Sequence, residues 1–225
     1  MPVKVQGITN ATTITASGGH SCALHEDGTI SCWGDNRYGQ LGNGEGGDGR
    51  DSGERSLVPV KVQGITDATA ITTSDEHSCA LHQTGTISCW GHNEYGQLGN
   101  GEGGNDGDYS SVPVQVQGIT NATTITTGDY HSCALHQIGT ISCWGNNNYG
   151  ELGNGTTNLS LVPVQVQGIT NATAITAGSE HSCALLEDGT ISCWGHNSSG
   201  QLGNGEGGND GDRSLVPVQV VGIGR

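Results

Sequence analysis

The chain repeats itself four times, and this limits the available folds more than any other feature. The segment HSCAL begins at His20, His77, His131 and His181, and TISCWG begins at Thr29, Thr86, Thr140 and Thr190. The four Trp residues, 33, 90, 144 and 194, are spaced by 57, 54 and 50 residues. The variation has one source. Between each Gly-Asn-Gly (ending at Gly44, Gly101, Gly155 and Gly205) and the next Val-Pro lie 13, 10, 6 and 10 residues. Removing the first three of these stretches leaves 44 residues in every period. A rigid unit thus alternates with one elastic loop, the signature of a repeat architecture whose insertions map to one place.

Each unit reads as strands. Pro59 to Ile65 alternates apolar and polar residues between Pro and Gly, Ala-Ile-Thr-Thr is β-branched, and Ser-Cys-Ala-Leu and Thr-Ile-Ser-Cys-Trp complete four short segments. No stretch carries a useful 3.6-residue apolar period. The expectation is an all-β protein: β-propeller blades, four repeats of four short antiparallel strands, in one domain over residues 1–225 with units near 1–57, 58–111, 112–161 and 162–225. A fifth copy of the Val-Pro segment, Val216 to Ile223, follows the last unit.

Register follows from the hairpin loops. His25-Glu26-Asp27-Gly28-Thr29 reads as a three-residue loop with Gly at the left-handed position. With His25 and Thr29 as the closing pair, Leu24 faces Ile30, Ala23 faces Ser31 and Cys22 faces Cys32. Alternation makes 22/32 a non-hydrogen-bonded pair, whose Cα atoms lie ~4.5 Å apart, within disulfide reach. The same count pairs Cys79 with Cys89, Cys133 with Cys143 and Cys183 with Cys193. Structural disulfides are the reading adopted, implying an oxidising compartment and a secreted or extracytoplasmic chain. Free buried thiols remain open, as does a metal set joining His20 to its Cys pair, although two thiolates fall short of the four ligands of structural zinc. Met1-Pro2-Val3 runs straight into repeat material, so no signal peptide is read here.

The chain has 7 Lys+Arg against 22 Asp+Glu, a formal charge of −15, and no Lys or Arg between Lys61 and Arg213. Affinity for a phosphate backbone comes from Lys and Arg, so neither nucleic acid nor an anionic membrane is an expected partner. No apolar run approaches the ~20 residues of a membrane-spanning helix.

The run Gly-x-x-His-Ser-Cys-Ala-Leu-x-x-x-Gly-Thr-Ile-Ser-Cys-Trp-Gly-x-Asn-x-x-Gly-Gln-Leu-Gly, followed by Val-Pro-Val, resembles the regulator-of-chromosome-condensation repeat. It recurs four times, with Glu151 replacing Gln in the third copy. The resemblance implies a β-propeller, usually seven-bladed, that works through protein contacts, and the Cys-bearing version resembles bacterial extracytoplasmic members. Four blades fall short of seven, which leaves a fragment, a small ring or an arc completed by another copy. None of the residues with which the family's founding member exchanges nucleotide on a small GTPase can be matched here.

No Ser-His-Asp set, paired catalytic carboxylates or cofactor fingerprint is present, and near-identical units do not converge unlike residues on one point, so no enzyme is expected. The repeated His reads as architectural, bonded to neighbouring backbone, and the Trp residues as blade core. The elastic loops carry carboxylates: Glu102, Asp106 and Asp108 recur as Glu206, Asp210 and Asp212, and the first loop offers Glu45, Asp48, Asp51 and Glu54. Weak Ca²⁺ binding is one expectation for them, since hard cations take clustered oxygens; no other cofactor is expected. The functional expectation is a non-enzymatic scaffold for protein–protein interaction. Its variable acidic loops would emerge on one side and meet a partner with a basic surface. The alternatives are a guanine-nucleotide exchange regulator of a small GTPase, or a structural, consensus-like repeat fragment that self-assembles, as a homo-oligomer completing a ring.

Overall fold

The computed structural model describes residues 1, 3–47, 49 and 54–222; Asp48 and Asp51 of the first loop and Ile223 lie outside that set. Sixteen strands form four antiparallel sheets of four strands. Blade 1 consists of β1 (Ala11–Ala16), β2 (His20–His25), β3 (Ile30–Asp35) and β4 (Arg55–Lys61). Blade 2 holds β5 (Ala68–Thr73), β6 (His77–His82), β7 (Ile87–His92) and β8 (Tyr109–Gln115). Blade 3 holds β9 (Ala122–Thr127), β10 (His131–His136), β11 (Ile141–Gly145) and β12 (Ser160–Gln165). Blade 4 holds β13 (Ala172–Ala177), β14 (His181–Leu186), β15 (Ile191–His196) and β16 (Arg213–Gln219). Each sheet is a meander in chain order, and no helix occurs among the described residues.

The hairpin register is the one the loop dictates. Cys22 faces Cys32, Ala23 faces Ser31 and Leu24 faces Ile30, and the other blades repeat the pattern. His25 N–H donates to Thr29 C=O (2.9 Å) and Gly28 N–H to His25 C=O (3.0 Å), with Gly28 at φ 76°. All four cysteine pairs are disulfides, with Cα atoms 4.1 Å apart, slightly closer than the spacing of an undistorted pair. The metal and free-thiol alternatives therefore fall away: among the described residues no cysteine is free.

The phase of the repeat differs from the sequence expectation. Boundaries drawn at 57/58, 111/112 and 161/162 cut through β4, β8 and β12, because each Val-Pro strand completes the blade before it. The strand also starts earlier than Pro59. It covers Arg55–Lys61, after which Val62 and Ile65 turn inward to fill the space between blades. Pro59 is tolerated because β4 is the outermost strand of its sheet.

The core lies between blades. Cys22, Leu24, Ile30, Cys32, Leu41 and Val62 form the trailing face of blade 1, onto which blade 2 places Ala68, Ile71, Ala80 and Trp90. The same arrangement joins blades 2 and 3 and, with Trp194, blades 3 and 4. Trp90, Trp144 and Trp194 are fully buried. Each indole N–H donates to a main-chain carbonyl of the preceding blade, at Gln40 (2.9 Å), Gln97 (2.9 Å) and Glu151 (2.8 Å). The blades pack in chain order as an arc. Among the described residues no strand of blade 4 packs against a strand of blade 1 as neighbouring blades do, so the four blades do not close into a disc.

The repeated His bonds a side chain rather than backbone. His20, His77 and His131 Nε2 lie 2.8, 2.9 and 2.8 Å from the hydroxyls of Ser78, Ser132 and Ser182 in the next blade. Those hydroxyls donate to the carbonyls of Gln40, Gln97 and Glu151, so the imidazole N–H is the donor and Nδ1 carries no proton. Just after each Trp, Gly34, Gly91, Gly145 and Gly195 take φ of 110, 109, 103 and 106°. A Cβ on Gly91 would also run into the backbone of Glu76 and His77. Gly91→Ala is expected to cost about 3 kcal/mol or more, from left-handed strain plus overlap with main chain that cannot give way. Chemical denaturation beside the parent chain checks this.

Candidate interaction surface

β2 begins and β3 ends at the same edge of every blade, and the elastic loop leaves from and returns to that edge. Two sets of positions at which the units differ fall there: 18–19, 75–76, 129–130 and 179–180 before β2, β6, β10 and β14, and, around an unchanging Asn, 35–38, 92–95, 146–149 and 196–199 after the Trp-Gly pairs; the hairpin tips at the opposite edge differ as well. The conserved spacing of the blades thus displays unlike side chains along one rim.

On blades 1 to 3 these side chains meet in an aromatic cluster. The Tyr38 ring lies 4.4 Å from that of His92, which is 6.0 Å from Tyr130, and Tyr130 is 5.0 Å from Tyr95. The three tyrosines are half-buried and His92 is buried. Carboxylates surround them. His92 Nδ1 is 3.3 Å from Glu76 and Nε2 is 3.4 Å from Glu94, while Arg37 is tied to Asp35 at 2.7 Å. Partial burial raises the Glu76 and Asp129 carboxyls above the ordinary range. Burial, reinforced by Glu76 and Asp129, pushes the Tyr130 phenol up to about 12. Burial also lowers His92, against the opposing pull of Glu94. At neutral pH the cluster is therefore uncharged rings inside a ring of negative charge. Blade 4 continues the rim with Tyr149 stacked on His196 at 4.3 Å and His196 paired to Glu180 at 2.8 Å.

The loop carboxylates expected to gather a cation are spread out and used locally. Asp108 accepts from the main-chain and side-chain N–H groups of Asn105 (both 3.0 Å), and Asp212 does the same for Asn209 (2.9 and 3.1 Å). Glu102 accepts from Asn100 (3.1 Å) and Glu206 from Asn204 (3.4 Å), while Asp106 and Asp210 are exposed. Glu45 accepts from Asn43 at 3.0 Å. Among the described residues no three His, Cys, Asp or Glu side chains converge as a metal site.

The tyrosines escaped sequence analysis because Tyr38, Tyr95 and Tyr149 sit at a repeated position and look architectural. Only Tyr130, which replaces Gly19, Glu76 and Glu180 of the other units, marks the cluster as individual. A comparison of units position by position, looking for departures, would have found it.

Sixteen strands in four blades of one repeated build define a repeat protein of the β-propeller class. A family model described as the RCC1-like domain matches residues 1–224. The chain belongs to that family. Over 139 residues it is 35% identical to the human E3 ubiquitin-protein ligase HERC2, covering 60% of this chain and 3% of that protein. Over 161 residues it is 30% identical to the ultraviolet-B receptor UVR8 of Arabidopsis thaliana, covering 69% of this chain and 34% of that one. Among solved structures, Prp20p from Saccharomyces cerevisiae superimposes with a TM-score of 0.84 at 23% identity, over 99% of this chain and 53% of that chain. The chain thus spans about half of that solved propeller, about a third of the ultraviolet-B receptor and a small fraction of HERC2.

Proposed function

We propose that the chain is a non-enzymatic protein-interaction scaffold whose contact surface is the aromatic–acidic rim of blades 1 to 3. The observation that carries this reading is the Tyr38–His92–Tyr95–Tyr130 cluster, assembled from three blades and left half-open to solvent. Rigid aromatic side chains anchor interfaces because they bury much area at little entropic cost. The surrounding carboxylates and the −15 charge favour a partner rich in Lys and Arg, whose cations can also sit over the tyrosine faces. The Prp20p structure is described together with binding to Gsp1p and histones; a protein partner carried over to this chain would, given its charge, be a basic one. The four disulfides favour an oxidising, extracytoplasmic setting. Ubiquitin ligation belongs to HERC2 as a whole protein, of which this chain covers 3%.

The test uses a Lys/Arg-rich peptide of about 20 residues and a neutral peptide of equal length. The basic peptide should bind at low salt and weaken about 10-fold or more as salt rises from roughly 50 to 300 mM. The double variant Tyr95→Ala/Tyr130→Ala should weaken it a further ~10-fold or more without loss of folded signal. Equal binding of both peptides, or no effect of the double variant, would overturn the reading.

A further inference from the structure

The two ends of the arc are the two halves of an interface that the molecule already makes three times. Blade 4 presents an uncovered trailing face, a cavity of about 410 Å³ lined by Ala174, Cys183, Leu185, Ile191 and Val220 among others. These residues are the equivalents of those that receive the next blade in blades 1 to 3. Blade 1 presents an uncovered leading face. Ile14 is 76% exposed where its counterparts Ile71 and Ile125 are 7% exposed, and Trp33 is only half-buried. We propose that a second copy of this chain covers both ends, the trailing face of blade 4 in each copy taking the leading face of blade 1 of the other, to close a two-chain ring of eight blades.

The polar groups at the two ends match as well as the apolar ones. Across the internal interfaces the Trp indole N–H reaches the carbonyl of Gln40, Gln97 or Glu151; the corresponding free pair is Trp33 and the carbonyl of Gln201. The His–Ser pairs 20/78, 77/132 and 131/182 leave His181 and Ser21 without these partners. Gly28, Gly85 and Gly139 accept through their carbonyls from Ala68, Ala122 and Ala172, which leaves Gly189 to accept from Ala11. Shape agrees too. Leu161 lies against Gly96 and Leu215 against Gly150, whereas nothing lies within 4 Å of a Cβ at Gly200, and the matching Leu57 is 86% exposed.

A head-to-tail interface that closes after two copies has no free ends, unlike one that grows into a filament. Going from seven to eight blades changes the advance per blade from about 51° to about 45°, about 6° at each interface. Val3–Gln6 duplicates the outer-strand segment Val218–Val221, and β16 already holds that place on blade 4. In the single chain Val3–Gln6 lines one hollow with Trp33, Leu57 and Pro59, and in the ring it gives way to β16 of the other copy.

Sedimentation equilibrium on the 225-residue chain, with Trp fluorescence in parallel, tests the proposal. Twice the 23.0 kDa chain mass is expected, with Trp emission shifting to the blue on association as Trp33 loses water. Ile14→Glu and Leu57→Glu alter side chains exposed in the single chain, so each should keep the parent circular dichroism while weakening association ~100-fold or more. Ile138→Glu, on an exposed hairpin tip away from both ends, should leave the double mass unchanged. A single-chain mass at about 100 µM would overturn the proposal and leave the end faces to other occupants, such as further blades of a longer chain. Open-ended oligomers would overturn it as well, as would a two-chain species indifferent to both Glu substitutions.

Discussion

Full reduction of the chain is expected to unfold it at moderate temperature. Each disulfide joins residues ten apart in sequence across one hairpin, and closing so short a loop in the unfolded chain is worth about 2–3 kcal/mol. Four bridges amount to about 10 kcal/mol, comparable with the 5–15 kcal/mol that is the whole stability of ordinary domains. The dependence is steep because the blades carry few large apolar residues: there is no Phe and one Met, and Gly numbers 40 of 225. Reduction should also be ordered. Cys22, Cys79, Cys133 and their partners are sealed between blades, whereas Cys183 lies at the uncovered face of blade 4. In the unassembled chain, mass spectrometry during a reductant titration should show 183–193 opening first and the melting temperature falling with each further bridge lost. A melting temperature unmoved after all eight thiols are alkylated would contradict the expectation.

Acid should destabilise the chain well above the pH at which ordinary carboxylates titrate. His77 and His131 are wholly buried and their pKa is pushed down to about 3, while His20 is held at about 4, against the pull of Asp35 and Asp75, in each case chiefly by burial. The folded chain keeps these rings neutral, whereas unfolded histidines take up protons near pH 6.5. Stability is therefore complete above about pH 6.5 and declines through the window from there down to the folded pKa values of 3–4. At pH 5 each of the three should have cost about 2 kcal/mol, enough together to lower the melting temperature by about 15 °C relative to pH 7. Glu76, Asp129 and Glu151 act in the opposite sense, because burial raises their folded pKa, and they restore stability as pH falls through those raised values. Melting curves at pH 7, 6 and 5 check the slope, and His77→Gln, which can still donate toward Ser132, should reduce it, the remainder coming from His20 and His131 and from His92, His136 and His181, which burial also lowers. A flat profile between pH 7 and 5 would show that the imidazoles take up protons without unfolding.

Contacts within one hairpin were legible in the residues themselves. Gly28 between Asp27 and Thr29 sets the loop, the loop sets the register, and the register places Cys22 opposite Cys32. The same local logic, repeated at one spacing, was enough for four all-β units and for loops leaving from one edge. The His and Trp of each unit were rightly read as architectural, but their partners were not identified, because those partners belong to the next unit.

The amino-acid order alone thus determined the strand content, the hairpin register, the disulfide pairing and the acidic character, since each depends on neighbours within about a dozen residues or on composition. Tertiary structure decided which blade owns each Val-Pro strand, that His20 meets Ser78 rather than backbone, and that Tyr38, His92, Tyr95 and Tyr130 share one surface. It also decided that the arc stays open, with Trp33 and Leu185 lacking the cover their counterparts have. These outcomes depend on the angle at which one twisted sheet lies on the next, which near-identical sequences repeat without encoding where the repetition must close.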